Sequence, residues 1–496
     1  MQKKDREQKV TENFKKEGEK CENLNHIFRE YDIRGKVGPE GINEVSIAKI
    51  ATAFAYLLHQ KNVQEVVMGY DNRAESFALA NAAANVLKEA GFKVWFLGLT
   101  LSPVAYFAQH WLKARGVFMV TASHNPNGWN GCKLGYDLSS TLDAEDMVIL
   151  KELYENLTAS QKPDQPLIRP GGSRKDFDIR PHYINTIIQK VKIPKNHGLK
   201  VVIDAGNGAA GLFAYQLFQA LGCLTFQLNC DPDPTYPHYF PNPSDLASRE
   251  RLAAMVTHPY IKADLGISFD GDGDRLGVVD ENGKNVWSDR ILMILAEQIL
   301  KEVPGAKIVY DVKCTKALEE TIIAKGGKPI MAKTGHSYIK KELAQTGALL
   351  AGERSGHIFV KQGYYGYDDA LFAAAKLCLA LAKEQKPLSQ VLAAYPSYVT
   401  SPEVNVYCPD DQKYQVVESL QKEFIAAYGK NRVNTINGAR VSYKRGWGLV
   451  RASSNLPQLV MIFEGENEAA QQEIKEDFAS QLKKYPQISD EWENNI

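Results

Sequence analysis

The stretch Gly-Val-Phe-Met-Val-Thr-Ala-Ser-His-Asn-Pro, residues 116–126, combines a strand, a turn and a hydroxyl nucleophile. Its first five residues are apolar and favour a buried strand, whereas the Asn-Pro-Asn-Gly run at 125–128 favours a turn. Ser123, with the imidazole of His124 beside it, is therefore predicted on the loop leaving the strand, where open α/β sheets place ligand groups. The same string is typical of an ordinary Asx or Ser turn, so the case for a site depends on the rest of the chain.

Other apolar runs ending in an acidic residue or a glycine turn recur along the chain. Stretches with the apolar spacing of a helix, such as residues 47–58 and 79–90, lie between these runs. Alternating strands and helices predict repeated α/β units with mainly parallel sheets covered on both faces. The runs occupy residues 66–68, 201–203, 267–269 and 308–310.

The C-terminal part of the chain has a different pattern. Strand-like runs follow one another directly at 440–444, 447–452 and 458–463. Helical stretches flank them at 414–428 and 467–484. Strands in direct succession predict a smaller α+β domain with an antiparallel sheet.

Proline- and glycine-rich segments at 162–172 and 395–402, together with a Glu-Asn-Gly turn at 281–283, mark three boundaries. A chain of 496 residues is too long for one core, and about 150 residues per domain predicts three or four domains. The predicted division is a charged N-terminal extension at 1–24 and four domains at 25–170, 171–283, 284–397 and 398–496.

The composition is that of an ordinary globular protein, with 44% hydrophobic residues and 59 basic residues against 59 acidic ones. This balance gives no global field to hold nucleic acid or an anionic membrane, so an anion site has to be built locally and a small partner is expected. The seven cysteines include no C-x-x-C pair, which argues against a disulfide framework and a zinc site. Because the sequence shows neither a signal peptide nor a membrane span, a cytoplasmic location is predicted.

The run Asp-Gly-Asp-Gly-Asp-Arg at 270–275 places three carboxylates at alternate positions, separated by glycines that let the loop curl. Asp270, Asp272 and Asp274 repel one another unless a cation holds them, and hard oxygen ligands favour Mg²⁺ or Ca²⁺ over zinc. An EF-hand loop is one alternative, but Arg275 stands where that loop needs its glycine. A plain acidic surface loop is another. Mg²⁺ is preferred because it usually takes a few carboxylates together with a substrate phosphate oxygen.

A loop at 352–357 carries the next candidate groups. Glu353 and Ser355 lie two residues apart, as pairing to vicinal sugar hydroxyls requires, although a solvated turn gives the same pattern. Upstream, Lys313 and His336 add a cation and a donor after strand-like runs. These residues are predicted to lie near the same ligand.

Two further segments carry donors for an anion. Arg451, Ser453 and Asn455 alternate towards one side, as phosphate binding requires, although a basic strand end is equally compatible. Near the start of the chain, Arg34 in the Tyr-Asp-Ile-Arg-Gly run at 31–35 offers a second anion ligand.

Taken together, these segments resemble the α-D-phosphohexomutase family, specifically its phosphomannomutase/phosphoglucomutase branch. The resemblance implies a heart-shaped α/β enzyme of four domains with the active site in a central cleft. Three of the domains would be similar α/β units with mixed sheets, and the fourth a smaller C-terminal α+β domain. The matching segments, in the family's order, are residues 31–35, 121–126, 270–275, 335–337, 352–357 and 451–457.

The resemblance implies a role for each matching side chain. Ser123 would carry a phosphoryl group and would bind Mg²⁺ together with Asp270, Asp272 and Asp274. The four domains would then carry, in order, the phosphoserine loop, the metal loop, the sugar-binding loop and the phosphate-binding loop. The remaining assignments are catalysis for His124, Lys133 and Arg34, substrate binding for Tyr31, Arg275, Lys313, His336, Glu353, Ser355 and His357, and phosphate binding for Arg451, Ser453 and Asn455.

The implied activity is the interconversion of hexose 1-phosphate and hexose 6-phosphate, for mannose, glucose or both. Hexose 1,6-bisphosphate would be the intermediate and the activator. Lys133, His124, His336 and His357 are the candidate general acids and bases. The expected partners are sugar phosphates rather than nucleic acid or membrane, and the chain is expected to be a monomer or weak homo-oligomer. A hinge near 395–402 is predicted, because the site has to admit and release its ligand.

Three alternatives stay open. A phosphoglucosamine mutase shares the phosphoserine and metal loops, and a Mg²⁺-dependent sugar phosphatase would use Asp270 as its nucleophile. A non-enzymatic phospho-sugar sensor is disfavoured, because the nucleophile, the three aspartates and Arg451 are all present. Two departures from the family bear on substrate preference: Asn455 stands where threonine is common, and Arg354 adds a positive charge to the sugar loop.

Overall fold

The computed structural model describes residues 25–159, 168–454 and 456–488. The predicted N-terminal extension at 1–24 and the candidate phosphate ligand Asn455 therefore lie outside the described residues. The chain forms two compact units. The first contains the described residues up to Val286 together with Ser355–Ser389, and the second contains Trp287–Arg354 with the described residues from Gln390 onward. No described helix is both long enough and apolar enough to span a membrane.

The first unit opens with a six-stranded mixed sheet and its covering helices. In chain order the elements are β1 (Ile33–Lys36), α1 (Glu44–Gln60), β2 (Glu65–Tyr70), α2 (Ser76–Glu89), β3 (Lys93–Leu99), α3 (Ser102–Leu112), β4 (Gly116–Val120), β5 (Trp129–Gly135), α4 (Ala144–Ala159) and β6 (Ser173–Asp176). The strand order is β1-β5-β4-β2-β3-β6. Strands β4, β2, β3 and β6 are parallel, whereas β5 and β1 are antiparallel to their neighbours. The prediction of mainly parallel strands is therefore confirmed, and the antiparallel edge formed by β5 and β1 makes this one of the mixed sheets that the family resemblance implies.

Helix α1 shows how the sequence specifies an element of this layer. Asn43 caps the helix by accepting from the backbone N–H of Ser46 over 2.9 Å, while Ser46 Oγ accepts from the backbone N–H of Asn43. Ile47, Ile50 and Phe54 recur at helical spacing and are fully buried against the sheet. Strand β4 is buried along its whole length, which agrees with its central place in the sheet.

A second mixed sheet follows in the same unit. Its elements are α5 (Arg180–Val191), β7 (Lys200–Asp204), α6 (Gly211–Ala220), β8 (Leu224–Leu228), α7 (Leu246–Val256), β9 (Leu265–Phe269), β10 (Leu276–Asp280) and β11 (Asn285–Val286). The strand order is β11-β10-β9-β7-β8, with β9, β7 and β8 parallel and the other pairs antiparallel. The acidic run at 270–275 is the connection between β9 and β10, at the carboxyl end of a buried parallel strand.

The second unit contains a third set of parallel strands. Its elements are α8 (Ser288–Glu302), β12 (Lys307–Asp311), α9 (Lys316–Ala324), β13 (Lys328–Ala332), α10 (His336–Thr346) and β14 (Leu350–Gly352). Strand β12 pairs in parallel with β13 on one side and with β14 on the other. The chain then forms β15 (Ile358–Val360), α11 (Ala370–Glu384) and α12 (Leu388–Leu392), of which β15 and α11 belong to the first unit.

The C-terminal part of the second unit is the predicted α+β domain. Its elements are β16 (Val399–Thr400), β17 (Val404–Tyr407), α13 (Lys413–Tyr428), β18 (Val433–Asn434), β19 (Ala439–Tyr443), β20 (Gly446–Ala452), β21 (Gln458–Gly465) and α14 (Glu468–Leu482). Every strand pair in this sheet is antiparallel, as the sequence predicted. Helices α13 and α14 bury Phe424 and Phe478 in its core, with the ring centroids 4.6 Å apart.

Candidate active site

Ser123 lies in the turn that follows β4, as predicted. Its backbone is in the left-handed region, with φ of 50°. This conformation costs a non-glycine residue about 1–3 kcal/mol and clusters at functional sites. The side chain is buried, and the backbone N–H donates to Thr121 Oγ1 over 2.8 Å. The turn therefore presents the hydroxyl of the predicted nucleophile in a conformation that surrounding residues have to maintain.

Arg73, which follows β2, maintains this turn. Its guanidinium donates to the carbonyl oxygens of Ser123 over 2.8 Å and of Asn125 over 2.6 Å. It also donates to two further carbonyl oxygens in the same connection, those of Pro126 and Trp129. Its charge is balanced by Asp71, with Nε 3.2 Å from Oδ2, and both side chains are buried. The sequence analysis did not identify Arg73, although it noted that an acidic residue or a glycine turn follows the apolar run of β2.

We expect Arg73→Lys to lower kcat for phosphoryl transfer about 10- to 100-fold, because lysine keeps the charge but lacks the planar fork that bridges several carbonyl oxygens. KM should change less, because Arg73 acts on the position of the Ser123 turn and is not one of the predicted substrate ligands. Steady-state kinetics on folded protein measures both. Arg115→Lys is the matched control, because Arg115 is a half-exposed arginine of the same unit that pairs with Asp137. Unchanged kcat in Arg73→Lys would show that the turn keeps its conformation without this residue.

Arg34, on β1, contacts the same turn. Its Nη1 donates to Asn125 Oδ1 over 2.8 Å, and its Nε donates to Asp32 Oδ2 over 2.8 Å. Both members of this ion pair are buried, and Tyr31 is buried beside them in the chain. Two predicted segments, 31–35 and 121–126, are thus brought together. The catalytic role of Arg34 and the substrate-binding role of Tyr31 stay predictions.

The three aspartates between β9 and β10 lie together and are fully buried. Each of Asp270, Asp272 and Asp274 offers a carboxylate oxygen within 4.8 Å of the others. Asp270 Oδ2 accepts a hydrogen bond from Ser123 Oγ over 2.9 Å, so the predicted nucleophile contacts the acidic cluster directly. Burial, together with the charges of Asp274 and Asp272, raises the pKa of Asp270 well above its usual range.

The cluster fits a divalent cation. Asp272 Oδ1 and Asp274 Oδ1 are buried and have no hydrogen-bond partner within the described ranges, so each retains lone pairs for a ligand. Oxygen donors grouped in this way suit Mg²⁺. Gly271 permits the acidic loop to approach the turn of Ser123, because a Cβ at this position would lie 2.7 Å from the carbonyl oxygen of Ser123.

Lys133, on β5, provides a positive charge at the cluster. Its Nζ lies 2.6 Å from Asp272 Oδ2 and also contacts Asp274 Oδ2. Burial lowers the pKa of a lysine, but Asp272 and Asp274 more than offset this and raise the pKa of Lys133 well above its usual range. Ser102 Oγ adds a hydrogen bond of 2.5 Å to Asp272 Oδ2. The residue named from the sequence as an acid or base is thus placed as a counter-charge to the aspartates.

Two histidines border the cluster. His124 Nδ1 lies 3.1 Å from Ser123 Oγ, and burial together with the charge of Arg275 lowers the pKa of His124 well below its usual range. His357 Nδ1 lies 3.1 Å from Asp368 Oδ2, while its Nε2 accepts from Arg275 Nε over 2.9 Å. Nδ1 is thus the ring nitrogen that faces Asp368, and Nε2 the one that faces Arg275. Sequence reasoning missed Asp368, which has no motif around it.

In the second unit, the loop after β14 presents Glu353. Its side chain is buried, and Oε1 accepts from the backbone N–H of Gly335 over 3.2 Å. This bond joins the predicted sugar loop to the start of α10, where His336 is the first residue and is buried. Ser355, the first residue of the segment that belongs to the first unit, is half-buried. Within the second unit, the structure therefore places the predicted segment 335–337 against Glu353.

The side chain of Arg354 packs against other buried residues of the second unit. Its guanidinium is buried, with Nη1 3.3 Å from Asp289 Oδ2. The guanidinium carbon Cζ lies 4.6 Å from the centroid of the Trp287 ring. Its backbone N–H donates to Asp311 Oδ1 over 3.1 Å. Asp289 therefore balances the positive charge that Arg354 adds to the sugar loop.

The predicted phosphate loop follows β20. Arg451 is buried, and its Nε donates to Asn437 Oδ1 over 3.0 Å. Ser453 is buried, and its backbone N–H donates across the loop to the carbonyl oxygen of Gln458 over 2.9 Å. Lys313, after β12, pairs with Glu403 Oε1 over 2.9 Å. Sequence reasoning missed Asn437, although an Asn-Gly pair is a recognisable turn signal.

Four family models match the chain, and their combined range covers most of it. The descriptions are "Phosphoglucomutase/phosphomannomutase, alpha/beta/alpha domain I" for residues 25–161, "domain II" for 181–283, "domain III" for 287–398 and "C-terminal domain" for 403–481. The matches occur in the order of the four sheets described above.

Curated relatives agree with these matches. The chain is 40% identical over 456 residues to the phosphomannomutase/phosphoglucomutase of Pseudomonas putida, covering 92% of this chain and 95% of the relative. It is 36% identical over 467 residues to the phosphoglucomutase of Neisseria meningitidis, covering 93% of this chain and 98% of the relative.

Solved structures show the same likeness. A phosphoglucomutase/phosphomannomutase family protein from Burkholderia thailandensis superposes with a TM-score of 0.82 at 36% identity, covering 92% of this chain and 97% of the other. The phosphoglucomutase parafusin from Paramecium superposes with a TM-score of 0.69 at 16% identity, covering 91% of this chain and 93% of the other, and shares the fold.

The fold and these comparisons define the class of the protein as a phosphotransferase with the phosphohexomutase architecture of four domains. The chain belongs to the phosphoglucomutase/phosphomannomutase family.

Proposed function

We propose that this enzyme interconverts the 1-phosphate and 6-phosphate of mannose, of glucose or of both, with a phosphoryl group carried by Ser123. The observation that carries the proposal is the hydrogen bond of 2.9 Å between Ser123 Oγ and Asp270 Oδ2. It joins a nucleophile to a buried carboxylate cluster that fits a cation. The names of the curated relatives support the choice of sugars.

The residues around Ser123 are proposed to manage the charge of the phosphoryl group. A phosphoserine carries about two negative charges near pH 7. Asp270, Asp272 and Asp274, together with the phosphoserine, would hold Mg²⁺, which when bound offsets charge on the transferring group. Arg275 would supply further positive charge, because its Nε lies 3.9 Å from Asp270 Oδ2.

The sugar loop and the phosphate loop are proposed to recognise the substrate. Glu353 and Ser355 would bind two sugar hydroxyls, and Arg451 and Ser453 would bind the phosphate that the sugar already carries. Asn455 is kept as a third phosphate ligand, and the further substrate ligands are Tyr31, Lys313, His336 and His357. The binding groups have to accept the intermediate in two orientations, because the bisphosphate must present first one phosphate and then the other to Ser123.

The sugar hydroxyl that accepts the phosphoryl group needs a general base to take its proton, and the reverse transfer needs a general acid to return one. His124, Lys133, His336 and His357 are the proposed candidates. His357 has the arrangement of an oriented imidazole, since Asp368 contacts its Nδ1. Hexose 1,6-bisphosphate is proposed both as the intermediate and as the activator that phosphorylates Ser123.

We propose small sugar phosphates as the partners and a reducing compartment, the cytoplasm, as the location. The six cysteines within the described part of the chain are all free and buried, which is compatible with this choice. The predictions of a monomer or weak homo-oligomer, of the four domain boundaries and of a hinge near 395–402 are retained as proposals.

Intact-mass measurement and peptide mapping of purified enzyme test the proposal. We expect a phosphoryl group on the peptide containing Ser123, transferred to sugar on addition of glucose 6-phosphate or mannose 6-phosphate. A serine that stays unmodified in the presence of glucose 1,6-bisphosphate would refute the mutase function. Turnover of glucosamine phosphate ahead of both hexose phosphates would favour a phosphoglucosamine mutase instead.

A further inference from the structure

Asn437, in the turn between β18 and β19, contacts two elements that the proposed function uses. Its Oδ1 accepts from Arg451 Nε over 3.0 Å and from the backbone N–H of Thr334 over 3.2 Å. Arg451 belongs to the phosphate loop, whereas Thr334 lies directly before Gly335 and His336. A carboxamide oxygen has two lone pairs and can accept both bonds. One atom therefore joins the phosphate loop to the start of α10.

The connection continues from Thr334 to the sugar loop. Thr334 Oγ1 donates to Asp311 Oδ2 over 2.8 Å, and the backbone N–H of the next residue, Gly335, donates to Glu353 Oε1 over 3.2 Å. Thr334, Asp311 and Glu353 are all buried, so water competes little for these bonds. A continuous path of hydrogen bonds and backbone thus runs from the proposed phosphate ligand Arg451 to the proposed sugar ligand Glu353.

The conformation of the next residue, Gly438, fixes the position of Asn437. Gly438 has φ of 88°, and a Cβ at this position would lie 2.2 Å from the carbonyl oxygen of Val450 and 2.7 Å from Arg451 Cβ. Gln421 Nε2 donates to the carbonyl oxygen of Gly438 over 2.7 Å. The Asn-Gly turn is therefore packed tightly against β20.

We propose that Asn437 is a positioning residue that sets the separation between the phosphate-binding and sugar-binding groups. By accepting a hydrogen bond from Arg451 Nε, Asn437 orients the Arg451 guanidinium. Through its contact with Thr334, it fixes the start of α10, which carries His336, and the adjoining loop that carries Glu353. The inference rests on the proposed function, since it assumes that these groups bind one sugar phosphate together. Because Asn437 acts on binding groups rather than on the reacting atoms, its loss should raise KM more than it lowers kcat.

Steady-state kinetics with glucose 6-phosphate and mannose 6-phosphate test the proposal. Asn437→Ala is expected to raise KM about 10- to 100-fold, the range expected for losing a hydrogen bond to a charged group, with kcat within about threefold of wild type. Asn437→Asp keeps the accepting oxygen and adds a charge opposite to Arg451, so its KM should stay within about threefold of wild type. Asn431→Ala is the matched control, because Asn431 is an exposed asparagine that lies shortly before β18 in the same segment.

Two outcomes would overturn the inference. One is an unchanged KM in Asn437→Ala. The other is a fall in kcat and in the thermal unfolding midpoint with no specific rise in KM, which would indicate a purely structural role. Absence of mutase turnover in the wild-type enzyme would instead refute the proposed function. Calorimetric titration with glucose 6-phosphate would then still measure whether Asn437→Ala weakens binding relative to Asn437→Asp.

Discussion

Ser123→Ala is expected to lower mutase turnover by about 10³-fold or more, because removal of a covalent nucleophile leaves only binding and electrostatic groups. The structure places Ser123 Oγ 2.9 Å from Asp270 Oδ2 and 3.1 Å from His124 Nδ1. The described residues offer no second hydroxyl in hydrogen-bond contact with Asp270. A coupled assay for glucose 6-phosphate formation, run with glucose 1,6-bisphosphate present, measures the loss.

The control for this variant is Ser140→Ala, an exposed serine in the same domain. It should keep wild-type turnover. The two enzyme hypotheses predict different results for Ser123→Ala. A phosphatase with Asp270 as nucleophile would retain release of inorganic phosphate in this variant, whereas a mutase would lose transfer altogether. Turnover within about tenfold of wild type would contradict the role assigned to Ser123.

Lys133→Met is expected to destabilise the first unit by about 3–5 kcal/mol in metal-free buffer, the range measured when one partner of a buried ion pair is removed. Lys133 Nζ contacts Asp272 and Asp274, and all three side chains are almost completely buried. Without this ammonium group, the repulsion among the three aspartates lacks its balancing charge. Urea unfolding in the presence of EDTA, followed by fluorescence, measures the change.

Mg²⁺ should restore much of the stability lost in Lys133→Met, because a cation that binds the native cluster favours the folded state. Wild-type enzyme should respond less, since Lys133 already balances part of the charge. Lys151→Met is the matched control. Lys151 pairs with Glu155 on the surface of the same unit, 3.9 Å apart, and its loss should cost less than about 1 kcal/mol. A Lys133→Met variant as stable as wild type in EDTA would show that the carboxylates do not depend on this charge.

The strands and helices around the site could be predicted because the sequence patterns that specify them are formed by neighbouring residues. The strand at 116–120 and the antiparallel pattern after residue 402 follow from the periodicity of apolar residues. The three carboxylates of the acidic run likewise indicate a hard cation from residue type alone. The mixed character of the first sheet followed only from the family resemblance, because the sequence of β5 does not reveal which strand it pairs with or in which direction.

The supporting contacts of the site could not be predicted from the sequence. Arg73 binds carbonyl oxygens 50 to 56 residues further along the chain. Asn437 accepts from a backbone N–H that lies 103 residues before it. Neither residue has a motif that reveals its partners, because backbone carbonyl and N–H groups are present along the whole chain and only the fold brings particular ones into reach.

The sequence by itself determined the family, the order of the elements and the chemical types of the candidate groups, because apolar periodicity and short motifs are properties of neighbouring residues. Only the tertiary structure decided which charges balance one another. It placed Lys133 against Asp272 and Asp274, and it turned Arg354 towards Asp289. These pairings depend on where distant strands end and on which side chains are removed from water together, and burial makes such pairing necessary.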